Sequence, residues 1–154
     1  MSKYFFLYFL LISCKTFHTN DVEKERQEIL KLEADQRTYH LTGNAKAFTD
    51  LFSYHFLSVQ KGSVDSPTRK QSFDRFDNYF KGAEFIKWAD TKPPIIRFSD
   101  DYSVAYVIVQ KEVIVKMPAN NGSRVVDTTD FAWLTVYKKY QRGWKIDCVV
   151  STNK

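Results

Sequence analysis

The chain has 154 residues, 44% of them hydrophobic and 16% aromatic, and carries 23 Lys and Arg against 18 Asp and Glu for a formal net charge of +5. That length suffices for a single domain with a full core. Acids and bases are interspersed rather than blocked, which argues for a solvated surface and against a nucleic-acid footprint.

The chain opens with Met1-Ser2-Lys3 and then the apolar run YFFLYFLLIS, Tyr4 to Ser13. A helix spanning a bilayer needs about twenty residues, so a run of about ten is too short to cross as one. A Lys ahead of the run, an apolar centre and a small residue at its end form the layout of an export signal. Leu11-Ile12-Ser13-Cys14 resembles a bacterial lipobox, the alternatives being an ordinary signal peptide or a buried strand. The resemblance implies a signal peptide over residues 1–13, removal of that peptide, and lipidation of Cys14 with fatty acyl chains such as palmitate. The expected location is the cell envelope. Lys15, where enteric bacteria place an Asp to retain lipoproteins at the inner membrane, favours the outer membrane facing the periplasm. If Cys14 carries lipid, Cys148 has no disulfide partner and reads as an inert thiol in an apolar run.

Residues 14–21 are expected to form a lipidated tether, and residues 22–154 one domain. Helix one starts near Asn20 or Asp21, either able to cap free N–H groups, and presents Ile29, Leu32, Gln36 and Tyr39 on one stripe before Gly43 stops it. Asn44 caps a short second helix whose inward residues are Ala47, Phe48, Leu51 and Phe52. His55–Gln60 reads as the first strand, with turn-rich KGSVDSP behind it. Ser66-Pro67 marks a third helix start, and Phe73, Phe76 and Phe80 repeat at helical spacing as a core stripe. Strand periodicity then takes over through AEFIKWAD, PPIIRFS and the long, β-branched YSVAYVIVQKEVIVKM. The loop PANNGS turns the chain into TDFAWLTVYKKY, and QRG turns it again into WKIDCVVS. Helices first and an antiparallel meander after them predict an α+β class. Val104–Val109 is apolar at successive positions, so both faces of that strand call for burial, and a homodimer through the sheet is expected.

This order of elements resembles the NTF2-like superfamily, in particular its SnoaL-like, DUF4440-type group. LEADQRTYHLTGNAKAFTDLFSYHF resembles the opening helix, the break at Gly43-Asn44 and the short second helix leading into strand one. FSDDYSVAYVIV resembles the strand after an acidic turn. DFAWLTVYKKYQRGWKID resembles the closing hairpin with its Gly-Trp-Lys-Ile. The resemblance implies a cone: three N-terminal helices packed on a curved antiparallel sheet, with a pocket at the mouth. Fold alone does not give function, because members of this superfamily isomerise or dehydrate small ring compounds, bind ligands without chemistry, or serve as interaction modules.

Isomerase-like members keep a carboxylate base near the end of strand one, and the resemblance puts Gln60 there. An amide cannot abstract a proton. His55 is the titratable neighbour and Asp90, after Trp88, a candidate at a pocket rim. The three histidines and the acids show no metal-ligand spacing, no Gly-rich phosphate loop occurs, and no cofactor is expected. Tyr39, Phe48, Phe52, Trp88, Tyr106 and Trp133 are candidate walls of a ligand pocket, with Gln60 at its edge. The competing reading is that these rings simply fill the cone. The leading expectation is an envelope lipoprotein that binds a small apolar or aromatic molecule without turning it over. The alternatives are an isomerase- or dehydratase-like enzyme and a protein-interaction module.

Overall fold

A computed structural model describes residues 19–119 and 121–153 of the chain. The expected signal segment 1–13, the expected lipidation site Cys14 and the expected tether as far as residue 18 lie outside them. Among the described residues no helix is long and apolar enough to cross a membrane.

Helix α1 runs Thr19–Leu41. It ends where Gly43 takes φ +65°, a conformation that costs glycine nothing. Asn44 N–H bonds the Tyr39 carbonyl at 2.9 Å and Gly43 N–H the His40 carbonyl at 3.2 Å, the two bonds of a Schellman cap. Asn44 then caps α2 (Ala45–Asp50), its side chain accepting from Ala47 N–H at 3.0 Å. Strand β1 is Phe52–Gln60, so Phe52 opens the strand instead of closing the helix. Lys61 and Gly62 both have positive φ, the two-residue turn that matches strand twist. They fold Ser63–Asp65 back as β2, a hairpin where the sequence suggested only a turn.

Helix α3 spans Arg69–Gly82 and is capped by Thr68, not Ser66. Thr68 and Gln71 satisfy each other's backbone N–H groups in a capping box, whereas Ser66 would have had Arg69 in the reciprocal position, a side chain with nothing to accept with. The predicted core stripe on this helix is partial. Phe80 is buried, Phe76 is half-buried and Phe73 is 36% exposed.

Strands β3 (Glu84–Asp90), β4 (Ile95–Phe98), β5 (Val104–Pro118), β6 (Arg124–Tyr140) and β7 (Gly143–Asn153) complete one seven-stranded sheet. Its order is β2-β1-β7-β6-β5-β3, with β4 sharing the β5 edge with β3. The α+β class expected from the sequence is what the chain forms, with two corrections. The sheet is curved and mixed rather than antiparallel throughout, because β1 lies parallel to β7. The three helices are not one N-terminal block either, since β1 and β2 intervene before α3. Irregular register between Phe85 and Lys87, and between Val136 and Tyr137, bends the strands so that one face becomes concave.

Residue parity on β5 assigns the faces. Ala105, Val107, Val109, Val113 and Val115 are buried beneath the helices. Tyr106, 41% exposed, points to the opposite, convex face, as the two-residue period of a strand requires. Tyr106 is therefore not a pocket wall. Ile95, Ile86 and Val150 are exposed as well. Cys148 is half-buried, and burial followed by nearby Asp147 raises its thiol pKa.

The inward face of α1 is Glu25, Ile29, Glu33, Gln36 and His40, each at most 8% exposed. Leu32 and Tyr39, predicted inward, are half-buried flanks of that stripe. Four of the five inward residues are polar, and Glu25, Glu33 and Gln36 hydrogen-bond partners on the sheet, whereas His40 bonds back to the Gln36 carbonyl of its own helix. Trp144 Nε1 donates to Glu25 Oε2 at 2.7 Å, and Lys139 pairs with Glu25 Oε1. Tyr137 hydroxyl donates to Glu33 Oε1 at 2.6 Å and accepts from Gln36 Nε2 at 2.7 Å. Lys111 Nζ lies 3.8 Å from Glu33 Oε2 and also pairs with Asp90.

Tyr137, fully buried, thus bridges two α1 side chains. Tyr137→Phe strands a donor on Gln36 and an acceptor on Glu33, and we expect a loss of about 2–3 kcal/mol. Denaturant unfolding with an unchanged m-value is the measurement. A loss below about 0.5 kcal/mol would show that the bridge does not hold the helix.

Candidate functional site

Between α1, α2, α3 and the concave face lies a cavity of about 450 Å³. Its deep wall is aromatic: Phe48 from α2, Phe52 and Phe56 from β1, Phe76 from α3 and Trp88 from β3. Trp133 and Phe131 from β6 close the other side, with Val149 and Ser151 from β7. Cross-strand register explains the grouping. Trp133 pairs with Ser151, and Ser58 pairs with Val149, so these side chains share the concave face. The rings contact one another directly. Phe52 and Phe56 stack with centroids 4.1 Å apart, Phe48 meets Phe76 edge-on at 4.7 Å, and Trp88 sits 5.3 Å from Trp133.

Polar side chains interrupt the aromatic wall from several elements. Gln36 and His40 reach it from α1, Ser58 and Gln60 from β1, and Ser72 and Arg75 from α3. No Asp or Glu belongs to the wall among the described residues. Burial raises the Tyr79 pKa.

His40 is the best-defined of these. Its ring stacks on Trp88 at 3.7 Å with a 23° interplanar angle, and Phe48, Phe80 and Phe85 present their edges at 4.5, 5.2 and 5.3 Å. Its Nδ1 lies 2.7 Å from the Gln36 carbonyl. A carbonyl can only accept, so Nδ1 carries the hydrogen and Nε2 the lone pair. Burial depresses the His40 pKa from 6.5 to about 4, with the Gln36 carbonyl acting upward and Lys111 downward. The imidazole is therefore neutral at physiological pH. A base that weak is poorly matched to proton abstraction near pH 7.

Beneath the cavity the acids are already engaged. Burial raises the Glu33 pKa, against the downward pull of Tyr137 and Lys111. Burial works upward on Glu25 too, but hydrogen bonds from Lys139 and Trp144 outweigh it and hold its carboxyl low. Among the described residues three enclosed side-chain atoms have no hydrogen-bond partner: Glu33 Oε2, Trp88 Nε1 and Thr135 Oγ1. Among the described residues no group of three His, Cys, Asp or Glu side chains is placed to hold a metal ion.

The residues singled out from sequence divide accordingly. Phe48, Phe52, Gln60, Trp88 and Trp133 line the cavity. Tyr39 packs against the core without reaching the wall, and Tyr106 faces away. His55 is exposed and borders a separate hollow with Tyr54 and Arg69. Asp90 ends β3 and is paired with Lys111 rather than presented to the cavity. His40 and Arg75 were not singled out, and Phe76 was read as plain core.

No family model and no curated protein matches the sequence. Solved structures do match in fold. An NTF2-like protein from Cytophaga hutchinsonii superposes with a TM-score of 0.67 at 17% identity, covering 84% of this chain and 98% of that one. A ketosteroid isomerase-like protein from Erwinia carotovora atroseptica gives 0.67 at 15% identity over 84% and 96%. A candidate dehydratase of the NTF2-like family from Streptomyces avermitilis gives 0.70 at 12% identity over 86% and 98%. The chain has the NTF2-like fold.

The buried His40 has a consequence for stability. Its folded pKa lies below its unfolded value, so the stability it permits is complete above pH 6.5 and is lost as pH falls toward 4. At pH 4 the loss from this group is on the order of 3 kcal/mol. His40→Gln cannot protonate, so the stability difference between wild type and variant should shift by that amount from pH 7 to pH 4. The raised Glu33 acts oppositely in both proteins and cancels. Parallel unfolding curves for the pair across this range would contradict a neutral, buried His40.

Proposed function

We propose that this protein is an envelope lipoprotein, anchored at Cys14, whose cavity binds a small apolar or aromatic molecule without turning it over. The observation that carries the binding reading is the wall itself: stacked and edge-on rings around about 450 Å³, with no carboxylate among its described residues. Pockets of this size and lining suit a compact hydrophobic ligand held by a few polar contacts. The order of helices and strands, and the closing hairpin with Gly143-Trp144-Lys145-Ile146, support a place in the SnoaL-like, DUF4440-type branch. Similarity to proteins named as a ketosteroid isomerase-like protein and a candidate dehydratase supports a ring-shaped ligand. Against the enzyme reading stand a paired Asp90, an exposed His55 and a weakly basic His40.

Apolar area removed from water yields on the order of 25 cal/mol per Å². The ligand's lost freedom offsets part of that gain, which places an unspecialised site in the micromolar range. A thermal-shift screen of hydrophobic ring compounds on the full chain in detergent should give stabilising hits. Trp133→Ala should weaken those hits about tenfold or more while leaving the fold intact, since Trp133 is only half-buried. Turnover of a hit that depends on His40 or Asp90 would overturn the non-catalytic reading. An absence of hits would favour an interaction module.

The anchor has its own test. Cys14→Ser should abolish incorporation of labelled fatty acid and release the protein from the membrane fraction. Unchanged labelling in that variant would sink the lipoprotein reading.

A further inference from the structure

Gln36 and His40 stand one turn apart on α1, each 5% exposed, at the deep end of the cavity. Their hydrogen-bonding roles are fixed by what they already bond. Tyr137 donates its hydroxyl hydrogen to Glu33, so it can only accept from Gln36, which must turn its amide nitrogen toward Tyr137. Gln36 Oε1 is left over. His40 donates Nδ1–H to the Gln36 carbonyl, so Nε2 is left over with its lone pair. Neither leftover atom has a partner among the described residues, and neither is one of the three enclosed orphans. Both atoms therefore open onto the cavity that their side chains line.

The result is one-sided chemistry. The Gln36 amide nitrogen is turned to Tyr137 and also helps hold the Glu33 carboxyl down, so what Gln36 and His40 leave toward the cavity are two adjacent acceptors. The unpaired donor nearby, Trp88 Nε1, is closed off from water-sized contact. The serine and Tyr79 hydroxyls and the Gln60 amide in the wall can serve either way and impose no choice. Among the described residues the permanent cation of the wall is Arg75, an exposed residue of α3. A ligand whose inner end is a carbonyl, ether or carboxylate would bring lone pairs against lone pairs. A ligand whose inner end carries an O–H would satisfy an acceptor that is otherwise stripped of water.

We infer that Gln36 Oε1 and His40 Nε2 are the specificity determinants of the cavity and select hydroxylated ring compounds, phenols or ring alcohols, bound with the hydroxyl hydrogen directed at α1. This rests on the binding reading above and narrows it to one ligand class. Sites built to bond a hydroxyl reject analogues lacking it far more strongly than apolar pockets reject a missing methylene, because the buried acceptor is then left unpaired.

The test compares naphthol with its methyl ether, which keeps the ring and removes the donor. On the full chain in detergent, naphthol should bind about tenfold tighter or more by calorimetry. In protein labelled with ¹⁵N-histidine, the His40 Nε2 resonance should move upfield with naphthol and stay in place with the ether. His40→Phe removes one of the two acceptors and should lower the affinity ratio of the two compounds severalfold. Equal binding of both compounds by wild type, with an unmoved Nε2 resonance, would overturn this inference and leave the apolar cavity intact as a binding site. Binding of neither would overturn both readings. The resonance is read on wild-type protein, so the test stands even if His40→Phe fails to fold.

Discussion

The structure depends on a polar helix face that is buried. An amphipathic helix ordinarily meets a sheet with aliphatic side chains, yet α1 turns Glu25, Glu33, Gln36 and His40 inward, with Ile29 as their one aliphatic companion. Such a face is costly unless every group finds a partner. Here the partners of Glu25, Glu33 and Gln36 come from the far end of the chain: Tyr137, Lys139 and Trp144 on the closing hairpin. The pairing does more than compensate for desolvation. A greasy stripe could slide along the sheet, whereas bonds to particular atoms allow one rotation and one depth of insertion. That register aims Gln36 and His40 at the cavity.

The cavity follows from the same constraint. With α1 held at that depth, the rings of α2, α3, β1, β3 and β6 cannot close completely over the concave face. About 450 Å³ remains. The shape of the sheet contributes as well, because β5 shares one edge between β3 and β4 and the register breaks in the β1–β7, β3–β5 and β6–β7 pairings.

Much of the architecture was legible in the sequence because it is written in local signals. Gly43-Asn44 marks a helix end and a new cap whatever surrounds it, and the β-branched run from Val104 can only be a strand. Face assignments were harder. Tyr106 and Trp133 are both aromatic residues on long strands, and only the pairing register separates the convex from the concave. The stripe on α1 was misjudged for a related reason. Hydrophobic periodicity selects Leu32 and Tyr39, whereas the buried face is centred on glutamates whose partners lie about a hundred residues away in the chain. His40 could have been found by extending the spacing Ile29, Glu33, Gln36 by one more turn. Nothing local indicated that a charged-looking face would be the one to pack.

The parallel pairing of β1 with β7 joins Leu57 to Cys148 and Phe52 to Ile146, and the hydrogen bonds that seat α1 span 101 to 119 residues of chain. Contacts this distant form late, because the entropy of closing such loops is lost before the contacts reward it. The first helix and the first strand therefore have no stable place until the last hairpin exists. A chain emerging from the ribosome would hold no cavity, and no seated α1, until its final strand was free to pair. The cavity therefore belongs to both ends of the sheet at once, and a truncation of β7 would remove the support of α1 and β1 along with its own part of the wall.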